Sequence, residues 1–189
     1  MTLIEQLRQY QPYNEQEKAD LQVMLDFLSR HNDAFLRTNL IAHVTASGWV
    51  INGNGKKVLM AYHKIYDSWA WTGGHADGEE DLLSVAVREA REETGLQTVT
   101  PVMEAPFSVE ILTVNGHEKK GQYVPSHLHL NVTYLLRGDD AEILTVKEDE
   151  NAGVSWFDQA EALEKCSEPW MIDRVYRKLM EKCRKILCG

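Results

Sequence analysis

A chain of 189 residues, 43% hydrophobic and 26% charged, is long enough for one domain with a sizeable core and has the composition of an ordinary soluble globular protein. Its formal net charge of −9 weighs against bulk nucleic-acid binding and against anionic membrane surfaces, so an anionic substrate would have to be met by local cations or metal. No apolar run reaches the roughly 18 residues of a membrane span and no signal-peptide core opens the chain, which predicts a cytoplasmic protein.

Thr2 and Glu5 form a capping box ahead of a short helix over about residues 3–9, which Pro12 breaks. Asn14 with Glu17 starts a second helix whose apolar stripe is Leu21, Met24, Leu25 and Leu28. Residues 1–38 are therefore expected to form a helical extension packed on a core domain spanning 39–189, or else an element of dimerisation or substrate choice. From Asn39 the period changes to that of strands. Residues Leu40 to Thr45 and Trp49 to Ile51 flank Ser47-Gly48, Asn52-Gly53-Asn54-Gly55 is a hairpin-type turn, and Val58 to His63 is the next strand. Trp69 and Trp71 fall on one strand face, as core or wall.

The stretch from Gly74 to Leu96 reads as loop, helix, loop. Asp77-Gly78 is a turn, Glu79 to Thr94 has no internal Pro or Gly, and Gly95 sits where a left-handed cap would. Glu89, Glu92 and Glu93 then share one helix face near its C-terminus. Like charges at that spacing cost about 0.2–0.5 kcal/mol per pair, and the helix dipole disfavours anions there as well. A hard divalent cation such as Mg²⁺, which prefers carboxylate and water oxygens, would remove the repulsion.

Beyond this helix, Val99 to Val102 and Phe107 to Val114 read as strands, followed by an Asn115-Gly116 turn and a polar loop from His117 to Gly121. A longer strand runs from Tyr123 through Leu136. Its polar face carries His127, His129, Asn131 and Thr133. An acidic loop, Lys147 to Asn151, leads into a strand at Gly153 to Phe157 and a helix over about 158–165. The last helix begins at Ser167-Glu168-Pro169, with Ile172, Val175, Leu179, Cys183 and Ile186 as its apolar stripe. Arg174, Arg177, Lys178, Lys182, Arg184 and Lys185 are expected to form its solvated face. Cys166, Cys183 and Cys188 are odd in number and lack zinc-finger spacing, which suits reduced thiols without assigned chemistry.

The positions Gly74, Glu80, Arg88-Glu89-Ala90, Glu92-Glu93 and Gly95-Leu96 match the Nudix box without a departure, and the chain resembles the Nudix hydrolase superfamily over about residues 39–165. The resemblance implies an α/β/α sandwich with a mixed β-sheet, here with extra N-terminal helices and a C-terminal helix. It also implies a pyrophosphohydrolase that uses Mg²⁺ or Mn²⁺ to cleave a nucleoside diphosphate linked to another group. Glu89, Glu92 and Glu93 fall on the family's metal-binding carboxylates, Glu92 and Glu93 also serving catalysis. Arg88 and Glu80, meeting along the helix, would orient them, and Gly74 would shape the loop. The general base is expected at Glu150, with Glu148 the other candidate in the acidic loop. His63, Lys64, His75, His127 and His129 are candidates for substrate contact, and two histidines on one strand are too few to argue for zinc. The partner is a small nucleotide or other diphosphate, with neither bulk nucleic acid nor membrane, and a homodimer is compatible with the sequence. A non-hydrolytic nucleotide-sensing module is the alternative, although the box is intact and no added DNA-binding domain is evident. An isopentenyl-diphosphate isomerase is a minor one, since it needs a cysteine near the box.

Overall fold

The sheet is organised around β1 (Ala42–Ile51), every residue of which is buried. The computed structural model describes residues 1–65, 67–119, 121–147 and 151–188. Two strands are expected from the sequence either side of Ser47-Gly48, but β1 runs through both. Gly48 marks a close approach: a Cβ there would lie 2.8 Å from a Leu136 methyl. On one edge β1 pairs antiparallel with β2 (Lys57–His63) and with β4 (Thr72–His75). On the other it runs parallel to β9 (His127–Gly138) over its whole length, Ala42 opposite Leu128 and Ile51 opposite Arg137. β3 (Ser68–Ala70) and β10 (Asn151–Asp158) join β2, while β5 (Val99–Pro101) and β6 (Ser108–Val114) join β9, giving an eight-stranded mixed sheet.

Two expectations change at the strand level. The segment expected as a polar loop after Asn115-Gly116 forms a small hairpin of β7 (His117–Lys119) and β8 (Gln122–Val124). The single long strand expected from Tyr123 is thereby split, with Pro125, which has no backbone N–H to donate to a ladder, standing between β8 and β9.

Helices cover both faces. On one, Val44, Ala46 and Val50 of β1 share a core with Val85, Ala86 and Ala90 of α3 (Leu82–Thr94). Met24 and Leu28 of α2 (Glu15–Arg30) and Leu3 and Leu7 of α1 (Leu3–Gln9) join the same core. On the other, Trp49 and Ile51 pack with Ala162 of α4 (Gln159–Lys165) and with Leu179 and Cys183 of α5 (Arg177–Cys188). A π-helical turn, Met171–Tyr176, leads into α5, and its Tyr176 ring stacks on Trp49 at 5.7 Å and meets Trp71 edge-on at 5.6 Å. The result is an α/β/α sandwich.

The last helix corrects the sequence reading in one respect. Lys178 and Lys182 are not on a solvated face. Lys178 Nζ reaches Glu110 at 2.9 Å and Glu17 at 3.3 Å, and Lys182 Nζ reaches Glu17 at 2.7 Å. Glu17 and Glu110 are fully buried, and the network extends through Ser108 and Tyr10. Burial alone would raise the Glu17 carboxyl, but Lys182 and Lys178 outweigh it and hold it below the usual carboxylate range.

Candidate active site

The helix at the centre of the site is shorter than its sequence suggested. Asp81 caps it, accepting the Ser84 N–H at 3.2 Å, so Glu79 and Glu80 precede the first turn. Gly95, at φ 77°, closes it in the left-handed conformation and returns its N–H to the Arg91 carbonyl. The apolar face of α3 is what fixes the helix on the sheet, since Val85, Ala86 and Ala90 have no solvent exposure.

That packing brings the box carboxylates to three different settings. Glu93 is buried, its Oε1 accepting the Gly73 N–H at 2.8 Å and its Oε2 accepting the Asn151 amide at 3.0 Å. Glu89 lies against Gly74: a Cβ on Gly74 would stand 2.4 Å from the Glu89 carboxyl carbon, so glycine is what leaves room for the carboxylate. Glu92 is half-exposed with Lys147 Nζ 3.9 Å away. Arg88 turns to its neighbour Glu89 at 3.8 Å. Among the described residues no ion pair joins it to Glu80, because Glu80 lies ahead of the helix rather than two turns along it.

Asn151 was not singled out in the sequence, where it reads only as the end of an acidic loop. It opens β10 opposite His63, and its Oδ1 is buried without a hydrogen-bond partner beside Glu93. Lys147, whose carbonyl accepts the Asn151 N–H at 2.9 Å, was likewise missed. The expected base Glu150, and Glu148, lie outside the described residues. A glutamate pair with an adjacent unsatisfied amide oxygen is a hard-oxygen donor set of the kind that suits a divalent cation.

The five candidate substrate contacts divide between the two sides of the sheet. His63 alternates with Leu59, which belongs to the α3 core, so it faces the box helix; Lys64 is exposed just past the strand. His75 stands opposite Thr45, on the other side from Gly74, which stands opposite Ala46. There it meets His129 at 4.9 Å and a fourth imidazole, His43 of β1, whose ring centroid lies 4.8–5.1 Å from those of His75, His127 and His129. Nothing local in the sequence announced His43, since only the β1–β9 register sets it beside His129. Burial, reinforced by the neighbouring rings, pushes His129 down to about 2, and burial lowers His43 as well.

Cys166 and Cys183 are buried on the α4 and α5 side, where burial pushes the Cys166 thiol up to about 12. Neither belongs to the box face.

A family model described as NUDIX domain matches residues 42–182. The chain belongs to the Nudix family. It is accordingly a hydrolase acting on phosphoanhydrides, in a family whose members act on small nucleotide diphosphate compounds. The Nudix match reaches further along the chain than the box alone required, into α5. Among solved structures, an Ap4A hydrolase of C. elegans in a binary complex is 19% identical, covering 77% of this chain and 98% of its own, with a TM-score of 0.51. A NUDIX family hydrolase from Clostridium perfringens is 20% identical, covering 76% and 97%, at 0.52. At these identities the likeness is one of fold. No curated protein matches the chain. None of the helices among the described residues of this Nudix chain is long and apolar enough to cross a membrane.

Proposed function

We propose that this Nudix chain is a Mg²⁺- or Mn²⁺-dependent pyrophosphohydrolase that cleaves the phosphoanhydride of a nucleoside diphosphate linked to another group. The observation that carries the reading is Glu93, held from both sides by the Gly73 N–H and Asn151 and set beside a Glu89 that Gly74 makes room for. Burying a carboxylate next to two others is costly for a helix whose stability comes from its apolar face, and bound metal would offset that cost.

Glu89, Glu92 and Glu93 would hold the cation, which when bound supplies charge neutralisation on the phosphates and a more acidic water. Gly73 and Asn151 fix the Glu93 carboxylate so that its oxygens need no reorganisation. Arg88 positions Glu89 from its side. Glu150 is the proposed base. The residues that bracket the acidic tripeptide, Lys147 and Asn151, each contact a box glutamate, which supports placing the base here. His63, on the box side of the sheet, and Lys64, exposed just past the strand, are the proposed phosphate contacts.

The test is a panel of ADP-ribose, dinucleoside polyphosphates and coenzyme A with the purified chain, following released phosphate products. Turnover should disappear in EDTA and return with Mg²⁺ or Mn²⁺. Undiminished turnover in metal-free buffer would overturn the mechanism.

A further inference from the structure

Four imidazoles from three strands converge on the face of the sheet opposite the box helix. His43 comes from β1, His75 from β4, and His127 and His129 from β9. One ring nitrogen from each of His43, His75 and His129 lies within 4.8 Å of the others. His127 Nε2 lies 3.2 Å from His129 Nε2. No carboxylate belongs to this group of described residues.

The hydrogen bonds fix which nitrogens carry lone pairs. His43 Nδ1 sits 3.0 Å from the Asn39 carbonyl, and His127 Nδ1 sits 2.8 Å from the Pro125 carbonyl. A carbonyl only accepts, so each Nδ1 must be the N–H, and in the neutral ring each Nε2 is left with the lone pair. His43 is only 4% exposed, yet its Nε2 has no hydrogen-bond partner. An unsatisfied buried acceptor is a cost to the fold that a ligand on that nitrogen would remove. An imidazole whose second nitrogen donates to a backbone carbonyl while the first points at a shared centre is the arrangement that orients metal ligands.

The geometry points to a second metal site, of His43, His75 and His129 with His127 as the fourth ligand, for a zinc-class transition-metal ion. Imidazole nitrogens suit Zn²⁺, Co²⁺, Ni²⁺ or Cu²⁺ and not Mg²⁺, which demands oxygen. Zn–N bonds of about 2.0–2.1 Å in a tetrahedron place neighbouring nitrogens about 3.3 Å apart. The His127 and His129 Nε2 atoms already stand 3.2 Å apart, sharing one proton that a bound ion would displace. The nitrogens of His43, His75 and His129, within 4.8 Å of one another, would draw together on binding. Four protein ligands leave no open position, which makes the site structural: it staples β4 to β1 and β9. The inference does not rest on the hydrolytic reading, because it concerns the other face of the sheet. It replaces substrate contact as the role of His75, His127 and His129.

The experiment uses the full chain stripped of metal by a chelator that is then removed. Zn²⁺ is titrated against a chromophoric chelator, and Co²⁺ is added separately to record its visible absorption. One tight Zn²⁺ per chain is expected, with the intense visible bands of nitrogen-ligated, low-coordinate Co²⁺ and a raised Tm. His43→Asn, His75→Asn and His129→Asn should each weaken Zn²⁺ by more than the roughly 10–100-fold of losing an orienting partner. Glu92→Gln and Glu93→Gln should leave Zn²⁺ affinity unchanged, which separates this site from the carboxylates. Folded histidine variants with wild-type affinity would overturn the proposal. So would a pale, octahedral Co²⁺ spectrum of the wild-type chain, a reading that stands even if His43→Asn fails to fold.

Discussion

Glu93 and Glu92 are adjacent in sequence and opposite in circumstance. Glu93 accepts from two donors, so Glu93→Gln presents an amide N–H to one of them and leaves a buried group unsatisfied. That substitution should lower both kcat and thermal stability, the latter by about 1–3 kcal/mol. Glu92→Gln, half-exposed, should lower kcat with stability unchanged. Asn151→Ala removes only an orienting contact and should cost about 10–100-fold in activity or Mg²⁺ affinity. Steady-state kinetics against Mg²⁺ concentration, with thermal melts of the same samples, would check all three. A Glu93→Gln variant of full activity would remove the residue from the metal set.

At the level of elements, what holds α2 to α5 is a buried ion network, and its strength is predictable. Taking away one partner of such a pair strands the other charge in the core. Glu17→Ala should therefore destabilise the chain by about 3–5 kcal/mol, seen as a lower urea midpoint. The pH dependence follows from the lowered Glu17 carboxyl. A carboxyl held below its unfolded value contributes stability that is complete above about pH 4.5 and is lost as pH falls through the folded value. Glu17→Gln should flatten that part of the acid-unfolding profile. This network was illegible in the sequence. The pattern of Arg and Lys in the last helix shows where cations lie, but not that an acid from the second helix comes to meet two of them. The box helix was legible because its chemistry is confined to one turn-and-a-half of local spacing, from Glu89 to Glu93. His43 was not, because its neighbours are set by a strand register between distant segments.

For the molecule as a whole, α1 and α2 are proposed to be an extension that the rest of the chain cannot do without. Leu3, Leu7, Met24 and Leu28 share a core cluster with β1 and α3, and Asp20 and Gln16 accept from and donate to the backbone of β6. Deleting residues 1–38 would expose that apolar surface and the Lys178, Lys182 and Glu110 charges together. The truncated chain should be insoluble or molten, by light scattering and near-UV circular dichroism. A well-folded, active truncation would make the extension a true accessory.

The parallel pairing of β1 with β9 has a consequence for how the enzyme comes to life. The two strands lie on either side of the box helix in the chain, so their ladder closes a long loop, and such non-local, parallel contacts are slow to form. The helix itself nucleates locally within microseconds or less. Yet Glu93 has its partners only after β4 has docked on β1 and β10 on β2. During refolding the glutamates will therefore be helical well before they are competent, and activity will return with the sheet, not with the helix.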